Sequence, residues 1–554
     1  MTARTASIAV GSMAHRSPAR HGQWRAAMTA SASIRQTLRS HPTFRGLCAG
    51  GLAYFVGNAM QVMATSWLVV ELTGSAILTA LVQTAVFLPM FLLSLPAGVL
   101  ADVTDRRRLL VASLLTQAAL LALLTLLLMA DVAGAAVLLL FTFLIGCCIA
   151  VLSPAWNSTV ADSVPRDEMP QAITLVGIAY NSARALGPTL AGVVFAYAGS
   201  DWVFGIAVLS TLLTWQSIRR WPPQPHPPSR LPAERLWGGT LAALRYARHS
   251  QLILAQLLRT MAYSAAGSAL WALLPVIGLQ QLGTGAAGFG ALIGCLGVGA
   301  VITGLVVNRA RVRLGLELLV HAGCVVFAAA MAIAAWSQWR TPVYLALVAG
   351  GGAWMAVMST FNTATQTSAP PWVRSRAAAL HALSALGAFA FGSAFWGVVS
   401  SAFGLQAALT LATLAMLAGM LLARPFPLRM GQQQDVTPAA PWEDLFVADE
   451  PAPQAGPVAV EIAYRIRTDD AAAFLDALTA MRAPRRRDGA TFWRIYRDLG
   501  DPSRYCERFI VTSWADYLHQ RSRATLADQE LEARVRAFVP TGEAISMQHY
   551  IAER

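Results

Sequence analysis

The chain has no lysine: all 42 of its basic side chains are arginine, and charged residues of both signs fill only 13% of 554 positions. An ordinary soluble domain carries about 25% charge. With 56% hydrophobic residues and a mean hydropathy of +0.51, too little polar surface is left for a soluble globule, so composition makes this a polytopic membrane protein. The exclusive use of arginine reads as the base composition of a GC-rich genome and carries no mechanism.

Other absences narrow the function. No Walker motif occurs, which argues against direct ATP hydrolysis. Five of the six cysteines (Cys48, Cys147, Cys148, Cys295, Cys324) lie in apolar runs and Cys506 in a polar segment. Their spacing predicts neither disulfide nor metal site, and no cofactor is expected. Residues 1–43 contain no Asp or Glu and no apolar signal core, so they read as a disordered cytoplasmic tail. A transit peptide shares that composition, and Met28 is an alternative start. The apolar runs lack a central Asp or Glu of the kind proton relays use; Glu71, His321 and His381 come nearest to that role.

Apolar runs of roughly 20 residues, long enough at about 1.5 Å per residue to cross a core of about 30 Å, recur from Phe44 to Ala423. They fall near 44–70, 76–101, 108–130, 134–158, 172–198, 202–218, 251–279, 286–307, 315–336, 342–364, 376–402 and 405–423. The expected fold is all-α, with about twelve membrane-spanning helices.

These runs repeat internally. Gly98-Val-Leu-Ala-Asp-Val-Thr-Asp-Arg-Arg-Arg108 recurs in degraded form from Gly304 to Arg313; 304 − 98, 313 − 107 and 371 − 165 (Pro165 and Pro371) each give 206. Three glycine pairs, 187/392, 192/397 and 199/404, are offset by 205. Such spacing marks a duplicated half of six spans. The copies differ at one telling position: Asp102 in the first is Asn308 in the second, so an ionic contact there is expected to be strong in the first half only.

Net charge +13 raises the question of nucleic acid, but the arginines fall in alternate loops and form no single patch. Arg106 to Arg108, Arg166, Arg219 to Arg248, Arg309, Arg311, Arg313, Arg374, Arg376, Arg424 and Arg429 share one side, and Glu71, Asp131, Asp201 and Arg340 fall on the other. By the positive-inside rule, both termini and the 219–250 loop are expected in the cytoplasm of a multi-pass inner-membrane protein that contacts lipid and no nucleic acid.

The expected organisation is a tail (1–43), a first half (44–219), a linker (220–250), a second half (251–423), a further linker (424–457) and a soluble domain (458–554). Trp221-Pro-Pro-Gln-Pro-His-Pro-Pro cannot be helical, because proline removes amide donors. Pro232 to Ser250 suits an amphipathic helix on the inner leaflet or a plain connector. Residues 458–554 read as strand, helix, strand, strand, helix, strand, the ferredoxin-like βαββαβ pattern of an α+β domain. Such a module suits regulation or dimerisation. A ligand-sensing or enzymatic site lined by Trp493, Tyr496, His519 and His549 is the alternative, although no nucleophile–base or metal spacing supports catalysis, and the protein is not expected to be an enzyme.

The Gly98–Arg108 motif between the second and third runs, the duplicated halves and the Pro-rich linker resemble the major facilitator superfamily over residues 44–423. Leu72-Thr-Gly-Ser75, Asp102-Val-Thr-Asp-Arg-Arg-Arg108, Ser153-Pro-Ala-Trp156, Val164-Pro-Arg-Asp167 and Leu186-Gly-Pro188 resemble the branch of enterobactin-type exporters and predicted secretion effectors. The resemblance implies proton-driven export. Asp105 stands where the family pattern has glycine, which leaves the turn geometry open. Physically, Asp102 can face a helix N-terminus, expected to be that of the eleventh span near Ser375. Arg106 or Arg107 can pair with Asp162 as a latch that forms in one conformation. Gly187, Pro188 and Gly192 resemble the exporters' fifth-span motif; proline kinks the helix and small residues admit a close neighbour.

Polar groups within spans should face the interior. Tyr54, Asn58, Gln61 and Thr65 form one stripe of the first span; Arg259, Tyr263 and Trp271 form another on the seventh. Asn181 and Arg184 come from the fifth, Gln83 from the second and His381 with Ser384 from the eleventh. Arg184, about 18 Å into its span by helical rise, is the strongest candidate. Aromatic walls, amides and one or two cations suit an amphipathic or anionic aromatic small molecule such as a siderophore, drug or secondary metabolite. A facilitator or importer on the same fold is the alternative.

Overall fold

The computed structural model describes residues 38–165, 168–220, 244–439 and 451–553. Most of the expected N-terminal tail, the Pro-rich linker, the start of the amphipathic segment and residues 440–450 lie outside the described residues. Residues 244–249 are helical.

Twelve long helices are described. In the first half they are α1 (Pro42–Thr73), α2 (Ala76–Val103), α3 (Arg106–Met129), α4 (Ala135–Asp162), α5 (Met169–Ala198) and α6 (Ser200–Arg219). In the second they are α7 (Gln251–Val276), α8 (Ala286–Leu314), α9 (Leu316–Trp336), α10 (Arg340–Ser368), α11 (Arg374–Phe403) and α12 (Leu405–Gly419). Ten are long and apolar enough to cross a membrane by length and composition. The other two, α5 and α6, fall short of the expected twelve because α5 carries Gln171, Asn181 and Arg184, and α6 carries Asp201, Gln216 and Arg219.

Local chemistry explains the boundaries. Ser75 caps α2 by accepting from the Leu78 amide, and Ser250 caps α7 by accepting from Ile253. Asp105 caps α3, its Oδ1 accepting from the Arg108 amide at 2.9 Å, so the residue that replaces the family glycine starts the helix. Gly199 and Gly404, one repeat apart, each turn the chain between consecutive helices with φ of 91° and 89°. That region favours glycine because a Cβ would clash there.

The two halves meet along α2 against α11 and α5 against α8. Phe87 and Phe389 lie 4.7 Å apart, and Thr84 Oγ1 donates to the Ala390 carbonyl at 2.9 Å. A Cβ at Gly290 would stand 2.6 Å from the Pro188 carbonyl oxygen, and one at Gly192 would stand 2.7 Å from that of Ala286. Small residues here let backbones touch. α5 remains helical through Pro188, and Gly187 packs against Ala59 of α1.

The core is not symmetric along the bundle. One cluster joins both halves on the side away from the termini, through Met63, Trp67, Phe204, Phe289 and Phe327, and continues within the second half as far as Leu428. Trp67 stacks on Phe289 at 5.6 Å, and Gln280 Nε2 donates to the Gly74 carbonyl at 2.8 Å. On the terminal side each half has its own cluster: Phe44, Tyr54, Leu110, Trp156 and Ile218 in the first, Tyr246, Ile253, Val373 and Ala377 in the second. There, added Cβ atoms at Gly98 and Gly177 would meet nothing within 4 Å.

Residues 458–551 form an antiparallel sheet of β1 (Val458–Arg465), β2 (Phe492–Arg497), β3 (Arg504–Val511) and β4 (Ser546–Ile551), in the order β2-β3-β1-β4. The helices are α13 (Ala471–Ala480), α14 (Arg482–Asp488), α15 (Trp514–Arg523) and α16 (Leu526–Arg536), so α14 is added after the first expected helix and the second expected helix is split in two. Alternation along β1 turns Val458, Val460, Ile462 and Tyr464 into a core with Phe474, Trp493 and Phe509. This unit touches the segments that flank the second half: Arg245 Nη1 donates to the Gly489 carbonyl at 3.1 Å, and Ala439 N donates to Ala524 O at 2.8 Å.

Candidate functional site

Arg184 sits at the middle of α5, fifteen residues from Met169 and fourteen from Ala198. Its helical neighbours fix its direction: Tyr180 meets Phe55 of α1, Gly187 meets Ala59, and the Pro188 carbonyl meets Gly290 of α8. Arg184 is therefore on the interior face. It is nonetheless exposed, and its guanidinium lies 4.9 Å from the Trp271 ring centre on α7. The contact joins the two halves.

Trp271 extends into an aromatic wall. Trp354 of α10 lies 6.1 Å from Trp271, 5.2 Å from Tyr263 and 6.0 Å from Phe389. Trp271 Nε1 and the Tyr263 hydroxyl are buried without hydrogen-bond partners, and so is the Asn58 Oδ1 on α1. Unpaired buried polar groups are costly.

Several expected site residues are occupied elsewhere. Tyr54 turns away from the centre and donates to Gln117 Oε1 of α3 at 2.8 Å. Gln61 is buried, its Nε2 3.2 Å from Thr65 Oγ1. Asn181 donates to its own helix at the Gly177 carbonyl. His381 meets Thr260 Oγ1 at 3.3 Å, a packing contact between α7 and α11. Gln83 is half-buried on α2.

Arg259, expected to line the cavity, is held by Glu317 of α9, with Nη1 at 2.7 and 2.8 Å from the two carboxylate oxygens. Arg259 is 4% exposed, so burial demands a counter-charge. Glu317 also accepts from the Leu428 amide, and its carbonyl meets His321 Nδ1 at 2.7 Å. A sequence signal for it existed: Glu317 is the only acid between residues 251 and 434.

At the repeated loops, Arg106 Nη1 lies 2.6 Å from Asp162 Oδ2, and Arg107 donates to the Arg219 carbonyl. In the second half Arg311 instead donates to Asn308 Oδ1, Thr360 Oγ1 and Ser359 Oγ. One loop is ionic and the other neutral. Gly98 faces open space; the Asp102 side chain, and with it the contact expected near Ser375, lies outside the described residues.

In the C-terminal unit the four residues expected to line one site do not share a face. Trp493 is buried beside Phe509 and donates to Glu507, whereas Tyr496 points to the other side of the sheet. His549 bonds Tyr517 at 2.6 Å, and His519 is exposed.

Two six-helix halves closed on one side, with an aromatic and cationic face between them, define a transporter of the major facilitator type. The chain belongs to the transmembrane secretion effector family, whose sequence profile matches residues 35–554. It is 29% identical over 145 residues to the staphyloferrin A transporter of Staphylococcus aureus (strain NCTC 8325 / PS 47), covering 26% of this chain and 36% of that one. The chain thus spans about a third of the length of the curated relative it matches. The fold is similar to the inward-facing, unoccupied bacterial homologue of the human lysosomal transporter Spinster (TM-score 0.53, 15% identity, 69% of this chain and 94% of that one). It is also similar to the nucleoside transporter NupG (TM-score 0.57, 13% identity, 69% and 98%).

Proposed function

We propose that the chain is a secondary active exporter that moves an amphipathic small molecule, such as a siderophore, drug or secondary metabolite, by proton-coupled alternating access. The division of the hydrophobic core carries this reading: one cluster joins the halves away from the termini, and separate clusters serve each half at the terminal side. Arginine-rich loops favour a cytoplasmic terminal side, which makes this the state that admits solute from the cytoplasm. Residues 44–219 and 251–423 are then the two rocking bodies. The family's description as secretion effectors supports export, and the partial match to a staphyloferrin A transporter supports a siderophore-like solute.

Residues 458–554 we read as a regulatory or dimerising module rather than an enzyme; its contacts with the segments flanking the second half and with Trp372 support a regulatory role. Everted inner-membrane vesicles test the function. With an imposed proton gradient they should accumulate a siderophore or lipophilic drug, and collapsing the gradient should abolish accumulation. Gradient-independent equilibration would favour a facilitator, and no accumulation of any solute would reject proton-driven export.

A further inference from the structure

A guanidinium halfway along a membrane helix needs an anion, a solvated cavity or an aromatic face. Among the described residues, the contact seen at Arg184 is the Trp271 ring and not a carboxylate. The buried arginine of the second half, Arg259, has Glu317. The two arginines are thus treated differently by the same fold: Arg259, eight residues into α7, is neutralised within the protein, and Arg184, halfway along α5, is kept available across the junction of the halves.

The polar atom nearest the Arg184 contact is a donor, the Trp271 indole N–H, and the Tyr263 hydroxyl lies further along the same aromatic wall, against Trp354. Trp271 Nε1 and the Tyr263 hydroxyl are buried without partners, and indole N–H can only donate. The wall behind them, Trp271, Trp354 and Phe389, is aromatic. Resting on the exporter reading above, we infer that Arg184 and Trp271 form a charge-selective subsite for an aromatic or amphipathic carboxylate. The carboxylate takes the guanidinium edge, while the apolar body of the solute lies on the Trp271–Trp354 wall. A bidentate carboxylate is a stronger partner for arginine than a ring face, so binding exchanges the contact that joins the halves for one to the cargo. An empty site keeps its halves linked through Arg184 and Trp271, and a filled one releases that link.

The test uses the full chain in nanodiscs with naphthalene-2-carboxylate and its neutral isostere naphthalene-2-carboxamide, and reads binding by tryptophan quenching. The wild-type chain should bind the carboxylate at least about tenfold more tightly, the ratio given by one charge-assisted contact. Arg184→Gln should remove that ratio, and Arg184→Lys should keep part of it. Trp271→Leu should weaken both probes while preserving the preference for charge, which keeps the inference testable if the glutamine variant does not fold. Equal binding of the two probes, no binding of the carboxylate at millimolar concentration, or an unchanged ratio in Arg184→Gln would overturn it. Vesicle accumulation is read separately: charge-selective binding without gradient-driven accumulation would sink the exporter reading and leave the subsite standing.

Discussion

The guanidinium of Arg523, in α15, lies 4.2 Å from the ring centre of Trp372, in the loop between α10 and α11. Arg487 of α14 lies 5.5 Å over Tyr246, whose ring meets Trp372 edge-on at 5.4 Å. Arg487 is itself held by Asp488 and Asp528 at 2.7 and 2.6 Å. The C-terminal unit therefore grips both the approach to α7 and the α10–α11 loop. Cation–π contacts of this kind contribute about 0.5–2 kcal/mol each. We expect Trp372→Ala to raise hydrogen exchange in residues 244–249 and 369–373 without altering that of β1 and β3. Unchanged exchange at 244–249 would mean that the contact does not hold the unit.

The Arg106–Asp162 pair is partly exposed, at 23% and 31% of the side chains, which limits its strength to about 1 kcal/mol. Asp162→Asn should shift the balance of the two conformations by no more than roughly fivefold, read as cysteine cross-linking across the terminal side. The exchanged pair Arg106→Asp with Asp162→Arg should recover part of the effect. Asn308→Ala in the second half, which removes an Arg311 contact that carries no second charge, should do little.

Arg259 and Glu317 behave differently because Arg259 is buried. Removing only Glu317 leaves an unpaired cation inside the bundle, at a cost of up to about 3 kcal/mol. The thermal midpoint of Glu317→Gln should fall further than that of Arg259→Met with Glu317→Leu. A double variant less stable than the single one would contradict this assignment.

Glu532 lies in the C-terminal unit beside Arg485 and near Glu507. Burial raises its carboxyl to about 7, with Glu507 adding to the rise and Arg485 opposing it. A raised folded value means that the folded state holds its proton longer than the unfolded one. Stability is then present below the unfolded value near 4.5 and declines as pH rises through about 7. Between pH 5 and 8 the sheet's hydrogen-exchange protection, corrected for intrinsic rates, should fall more in the wild-type chain than in Glu532→Gln. Parallel profiles would show that Glu532 ionises as freely in the fold as outside it.

Much of this architecture was legible because it rests on local rules. Run lengths placed most helices to within about four residues, although α8 runs on to Leu314; the glycine offset located the matching turns at Gly199 and Gly404, and charge with loop position left Arg106 or Arg107 for Asp162, of which Arg106 makes the ion pair. The site was harder. A polar stripe tells which residues share a helix face, but not whether that face looks at the bundle centre or at a neighbour, so Tyr54 reads like a cavity residue while serving α3. Arg259 was visible and its partner was not, because the pair is 58 residues apart and Glu317 lies at the edge of an apolar run. Trp354, the hub of the aromatic wall, looks like any core tryptophan until α10 is folded against α7.

Alternating access requires the two sides of the bundle to open in turn. Spin-label distances in a cysteine-free background, one pair at positions 74 and 280 and another at 98 and 304, measure both sides at once. Acidifying the outside or adding a transported solute should lengthen the first distance and shorten the second in the same population. Two distances that stay fixed, or that change together in the same direction, would contradict the account.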